Sequence, residues 1–137
     1  VNYIDWYELD PEIVESCYRH LPTVCSKVKK SNTVNTFWGD AFESIKSVED
    51  SKYDKIFVDL NDDQYCIDLA RKNMKSLKRI LKPGGVITAQ VGSKDKKPKQ
   101  VDNWCKVLEK SFGNVKVSGV HVPSFDCNWN FASSIMK

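Results

Sequence analysis

The sequence predicts an α/β domain in which helices flank a mostly parallel sheet. Three observations point to it. Short apolar, β-branched or aromatic runs alternate with stretches whose apolar residues recur at helical spacing. Asp and Pro mark the helix boundaries, and acids follow three successive strands. A length of 137 residues suits one domain with its own core, and no Pro- or Gly-rich linker divides the chain, so residues 1–137 are read as a single domain.

The elements follow in order. Residues 3–9 form a short strand ending in Asp10-Pro11, an N-cap followed by a proline at the first helical position. Ile13, Val14, Cys17, Tyr18 and Leu21 recur as one helical face. Pro22 is read as closing that helix, and the Lys/Ser/Asn-rich residues 26–32 as an exposed connection. Residues 33–38 form a strand broken by Gly39, and Asp40 caps a helix carrying Ala41, Phe42, Ile45 and Val48. Residues 53–60 are a buried-type strand. Ile67, Ala70, Met74, Leu77, Ile80 and Leu81 define a long helix that Lys82-Pro83-Gly84-Gly85 stops. A strand over 86–90, a helix over 101–112 and a strand over 115–122 follow. The last strand, 129–136, is read as antiparallel to its neighbour.

Composition narrows the function classes. Hydrophobic residues at 41% and charged residues at 28% describe a globular chain rather than a disordered one. No apolar run approaches the ~20 residues of a membrane span, and no secretory signal pattern opens the chain. It starts on a strand without an initiator Met, so a fragment with further material upstream is expected. Five dispersed cysteines without a CxxC pair fit reduced thiols in the cytoplasm. Two histidines without clustered ligands argue against a metal site. The net charge of +3 is modest, and the lysine-rich run 94–99 reads as a solvated loop; neither a nucleic-acid nor a membrane partner is expected.

Ligands in open α/β sheets bind beyond the carboxyl ends of the strands. Glu8 and Asp10 follow the first strand, Gly39-Asp40 the second, and Asp59 with Asp62 and Asp63 the third. Parallel strands would bring these carboxylates to one rim. An acid there can accept both hydroxyls of a ribose, an acid beside glycine can approach a base edge, and the third group can hold a cation. Asp10 and Asp40 are equally readable as helix caps, and Asp62 and Asp63 as turn residues. The tryptophans read as core, with Trp129 alone in a plausible substrate loop.

Tyr7-Glu8-Leu9-Asp10-Pro11-Glu12-Ile13-Val14, Trp38-Gly39-Asp40-Ala41-Phe42-Glu43, Tyr53-Asp54-Lys55-Ile56-Phe57-Val58-Asp59, Leu81-Lys82-Pro83-Gly84-Gly85-Val86 with Gln90, and His121-Val122-Pro123-Ser124-Phe125 with Trp129 and Phe131 occur in this order. Together they resemble the spermidine synthase, or aminopropyltransferase, family. The resemblance implies a Rossmann-like fold of the S-adenosylmethionine-dependent methyltransferase type. It also implies transfer of an aminopropyl group from decarboxylated S-adenosylmethionine, the co-substrate, to putrescine or a longer polyamine. By it, Glu8 binds ribose, Asp40 and Ala41 bind the adenine region, and Asp59 is the catalytic acid–base residue. Asp62, Gln90, Phe125 and Trp129 line the amine pocket. No metal is required, and a homodimer or pairing with another chain is expected.

The sequence departs from the family pattern in three places. The glycine-rich loop and the strand before it are missing, the segment after Asp59 is short, and Phe125 stands where many members have Tyr. Nucleoside binding is therefore expected to need the preceding part. Two other readings stay open: a methyltransferase using S-adenosylmethionine itself, and a non-catalytic remnant that regulates or oligomerises with an active paralogue.

Overall fold

The computed structural model describes residues 2–61 and 63–137, and the chain divides into two compact units, Val1–Ser47 and Val48–Lys137.

The first unit holds two parallel strands, β1 (Ile4–Glu8) and β2 (Val34–Trp38), paired from Ile4 opposite Val34 to Glu8 opposite Trp38. Two cross-strand contacts support the register. Tyr7 stacks on Phe37 with ring centroids 5.0 Å apart, and Asn35 Nδ2 donates to Asp5 Oδ1 at 2.9 Å. Helix α1 (Pro11–His20) begins as the sequence indicates, with Asp10 Oδ1 accepting the Glu12 N–H at 2.9 Å and proline in the first turn.

Pro22 does not lead into an irregular connection. It opens a second helix, α2 (Pro22–Lys29). A proline just past one helix is equally placed to start the next, because its missing N–H would have had no partner there. Val24, Cys25 and Val28 keep helical spacing inside the lysine-rich composition, yet α2 buries no residue. After β2, Gly39 turns the chain at φ +112°, and the short helix α3 (Ala41–Ser44) runs into a 3-10 turn over Ile45–Ser47. Phe42 and Ile45 are buried there.

The second unit is a mixed four-stranded sheet. Its elements are β3 (Tyr53–Val58), α4 (Gln64–Ile80), β4 (Leu81–Gly92), α5 (Pro98–Phe112), β5 (Lys116–Val122) and β6 (Cys127–Ile135). The spatial order is β3-β4-β6-β5, with β3 parallel to β4, and β6 antiparallel to both β4 and β5. The antiparallel last strand is thus the one that joins β4 to β5.

Helices α4 and α5 pack against each other and against β4. The helical spacing noted in the sequence buries Ile67, Ala70, Met74, Leu77 and Ile80 of α4, and α5 adds Val101, Trp104, Leu108 and Phe112. They meet alternate residues of the sheet, so Ile87, Ala89 and Val91 are fully buried while Thr88 and Gln90 are half-buried.

Lys82-Pro83-Gly84-Gly85 ends α4, but it is not a simple turn before a strand. Tyr53 pairs with Leu81, and pairing then resumes at Lys55 with Val86, so these residues form an excursion inside β4. Gly84 takes φ +75°. Gly85 is needed for space, since a Cβ there would lie 2.7 Å from Leu81 Cδ1, 2.8 Å from the Lys82 carbonyl and 3.0 Å from the Asp54 carbonyl. The excursion is pinned to the end of β6 by Gly84 N–H to the Met136 carbonyl and Met136 N–H to the Gly85 carbonyl.

Candidate active site

In the first unit, the parallel pairing brings Glu8, Asp10, Asp40 and Ala41 to the carboxyl ends of two adjacent strands. The Gly39 N–H donates to the Glu8 carbonyl at 2.9 Å and fastens the two ends together. Glu8 is half-buried, and its Oε1 accepts the Asp10 N–H at 3.1 Å. One carboxylate oxygen therefore already braces the turn, which holds the side chain in place. Asp40 is exposed, and its Oδ1 accepts the Phe42 N–H at 2.8 Å. The cap and ligand roles that the sequence left open for Asp40 are compatible, because a carboxylate has more acceptor sites than one N–H can fill.

In the second unit, the group forms around Gln90. Strand β4 places Ala89 opposite Val58, so Gln90 lies beside Asp59 at the end of β3. The Gln90 amide is used at both ends. Its Nε2 donates to the Leu60 carbonyl at 2.5 Å, and its Oε1 accepts the Trp129 indole N–H at 2.5 Å. Phe125 packs against Trp129 with centroids 4.3 Å apart. One side chain thus ties the segment just after Asp59 to an aromatic pair formed by Trp129 of β6 and Phe125 of the β5–β6 connection. Asp59 itself is exposed.

An exposed carboxylate suits a cation, and so does a braced aromatic pair. Charge attracts it, and the ring faces add a favourable quadrupole term. Asp62, assigned from the sequence to the same pocket, lies outside the described residues. Asp63 serves the local structure, since its carboxylate accepts the Cys66 N–H at 2.8 Å as the N-cap of α4.

Two contributors are not evident from the sequence. Lys96 Nζ donates to the Phe125 carbonyl at 2.8 Å, and Asn130 Oδ1 accepts the Lys94 N–H at 2.7 Å. The lysine-rich run is exposed, as its composition indicates, but it also anchors the aromatic connection. No local pattern announces these bonds, because their partners are 29 and 36 residues apart. Among the described residues, no group of three or more His, Cys, Asp or Glu is arranged to hold a metal ion. Among the same residues, no helix is long and apolar enough to cross a membrane. Burial pushes the Cys105 thiol above its ordinary 9.0, and the neighbouring Asp102 carboxylate adds to the shift.

Comparison with known proteins follows the same outline. A family model described as the spermine/spermidine synthase domain matches residues 1–137. The polyamine aminopropyltransferase of Prochlorococcus marinus (strain NATL1A) is 29% identical over 142 residues, covering 97% of this chain and 48% of the relative. That of Korarchaeum cryptofilum (strain OPF8) is 23% identical over 134 residues, covering 96% and 41%. A spermidine synthase in complex with the transition state analogue AdoDATO superimposes with a TM-score of 0.87 at 14% identity, over 100% of this chain and 47% of that one. The spermidine synthase from Thermotoga maritima gives 0.85 at 15%, over 100% and 46%. The chain spans about half the length of the curated relatives it matches. The structural likeness establishes a Rossmann-like fold with a mixed sheet and flanking helices.

Proposed function

The chain belongs to the spermine/spermidine synthase domain family, and from that premise we propose that it carries the acidic half of an aminopropyltransferase active site. The two units are read as parts of one such domain. The observation that carries the proposal is the Gln90 brace, which joins the segment after Asp59 to the Phe125–Trp129 pair. That arrangement recognises an alkylammonium group, and a polyamine is a chain of them.

In the proposed reaction, a neutral amine nitrogen attacks the methylene carbon next to the sulfonium of decarboxylated S-adenosylmethionine. The C–N bond forms, the C–S bond breaks with its electron pair going to sulfur, and methylthioadenosine leaves as a neutral thioether. The attacking nitrogen becomes positive and must shed a proton. An alkylammonium gives up its proton near pH ~10 and a carboxylate takes one up near ~4, so the pair is poorly matched for full proton abstraction before attack. Asp59 orients the amine and receives its proton as attack proceeds. Glu8 holds the ribose hydroxyls, and Asp40 and Ala41 line the adenine. Gln90, Phe125, Trp129 and Asp62 shape the amine pocket. The five free cysteines fit a reducing, cytoplasmic setting, and a dimer is part of the same reading.

The test is a chimaera in which this chain follows the preceding half of the Prochlorococcus relative. It is offered putrescine with decarboxylated S-adenosylmethionine or with S-adenosylmethionine, and products are read by mass spectrometry. An aminopropylated amine whose formation is lost in Asp59→Asn is the expected result. A methylated product instead would transfer the assignment to methyl transfer. Absence of any product, with nucleoside binding also absent by titration calorimetry, would leave only a non-catalytic role.

A further inference from the structure

A groove lies within the second unit, between α4 and α5. Its volume is about 500 Å³, within the range of small-molecule clefts. Arg71, Lys75 and Lys78 of α4 face Lys106 and Lys110 of α5 across it, and no carboxylate is among its described lining residues. Met74 and Val107, both buried, form part of its apolar floor.

Two of the five cations have internal partners. Arg71 pairs with Asp68, and Lys78 Nζ donates to the Ser111 carbonyl at 3.0 Å. Lys75, Lys106 and Lys110 are exposed and have no ion pair among the described residues. Their spacing matters. Arg71 and Lys75, and Lys106 and Lys110, are like charges at i, i+4, which weakens each helix. The facing helix repeats the same sign across the groove. Beyond the Arg71–Asp68 pair, no ion pair among the described residues offsets that repulsion, whereas a bound polyanion would.

We propose that the α4–α5 groove binds a compact anion carrying two or more phosphate groups. Lysine ammonium groups take phosphate oxygens as charge-assisted hydrogen-bond acceptors. Three lysines without an ion pair among the described residues, Lys75, Lys106 and Lys110, spread over two helices of one groove, offer separate positions for more than one phosphate. A compact ligand fits better than a nucleic-acid strand, because the net charge of the chain is only +3 and the basic residues surround a cavity instead of forming a long stripe. The site does not depend on the aminopropyl-transfer reading, and its test uses no catalytic readout.

The probe is inorganic tripolyphosphate, titrated calorimetrically into the chain at about 0.15 M ionic strength, with amide NMR shifts mapping the contact. Saturable one-to-one binding is expected, with shifts confined to α4 and α5 and affinity reduced about tenfold or more in Lys75→Glu/Lys106→Glu. Both positions are exposed; should the charge reversal disturb the fold, Lys75→Gln/Lys106→Gln serves in its place, and the map on the unaltered chain stands regardless. Absence of saturable binding, shifts elsewhere, or binding indifferent to the substitutions would overturn the proposal. So would orthophosphate binding as tightly as tripolyphosphate, or a single-stranded RNA 12-mer occupying the groove without competition from tripolyphosphate.

Discussion

The two units differ in where they keep their apolar residues. In the second, α4 and α5 enclose Ile67, Trp104 and Leu108 against Ile87 and Ala89, all with no measurable exposure. In the first, only Val14, Phe42 and Ile45 count as buried hydrophobics among the described residues. Large apolar side chains stand exposed in both units, Leu9 and Val24 at 72% and 71% in the first and Phe57 and Tyr65 at 74% and 73% in the second, so the difference lies in the buried core. The contrast shows how differently α/β chemistry can be supported. The second unit has layered packing that can fix a side chain such as Gln90. The first has two strands and helices that, in α2, bury nothing. A two-stranded sheet is marginal by itself in water, and a 47-residue unit has too little interior to compensate. The candidate ribose and adenine residues sit on the less supported unit.

The largest effect that would test this contrast is truncation. A chain starting at Val48 is expected to retain a cooperative urea transition by circular dichroism, whereas a peptide of residues 1–47 shows none. A cooperative transition in the short peptide would break the comparison. Next in size is Trp104→Ala, which empties the centre of the second core. It should cost about 3–5 kcal/mol, against about 1–2 kcal/mol for Trp38→Ala, a residue that is 51% exposed. Denaturant midpoints at constant slope would measure both.

Gly85→Ala follows, at about 1–3 kcal/mol from overpacking against Leu81 and the Lys82 and Asp54 carbonyls. Its effect should be localised, appearing as faster amide exchange in the excursion and at Met136.

The smallest effect is one of pH. The Cys105 pKa is raised in the fold, so the unfolded chain ionises first as pH rises. Stability is intact below the ordinary thiol value of 9.0 and falls above it, until the folded pKa is passed. Cys105→Ser should flatten that alkaline decline without altering stability near neutrality by more than about 1 kcal/mol. An unchanged slope above the ordinary thiol value would show that Cys105 ionises equally in both states.

Much of this was legible in the sequence, for local reasons. The α4 face and the Asp10 and Asp40 caps rest on residues within a few positions of one another. The strand preceding Asp59 is also found, but not as the buried strand expected, since only Val58 of β3 is buried and Phe57 is 74% exposed. Where pattern reading went astray, the deciding partner was distant or the local signal had two meanings. Pro22 follows one helix and begins another, and composition alone favours neither. Lys82-Pro83-Gly84-Gly85 has turn chemistry, but only its pairing with β3 reveals that the strand continues on both sides. Gln90 is assigned to the amine pocket by resemblance alone. That its amide is engaged at both ends depends on partners 30 and 39 residues away. Lys96 was concealed by the same kind of distance, inside a run whose composition suggests only solvent.

The Gln90 brace also has a practical consequence. Trp129 donates its indole N–H to an amide and lies against Phe125 while half-buried, whereas Trp104 is sealed within the core. The two indoles should differ in emission colour and in access to a quencher such as iodide. A ligand reaching Asp59 would perturb the first and leave the second dark to the event. With Trp6 and Trp38 replaced by Phe, the chain would carry one optical reporter and one internal reference, and occupancy could be followed in real time without attaching a dye.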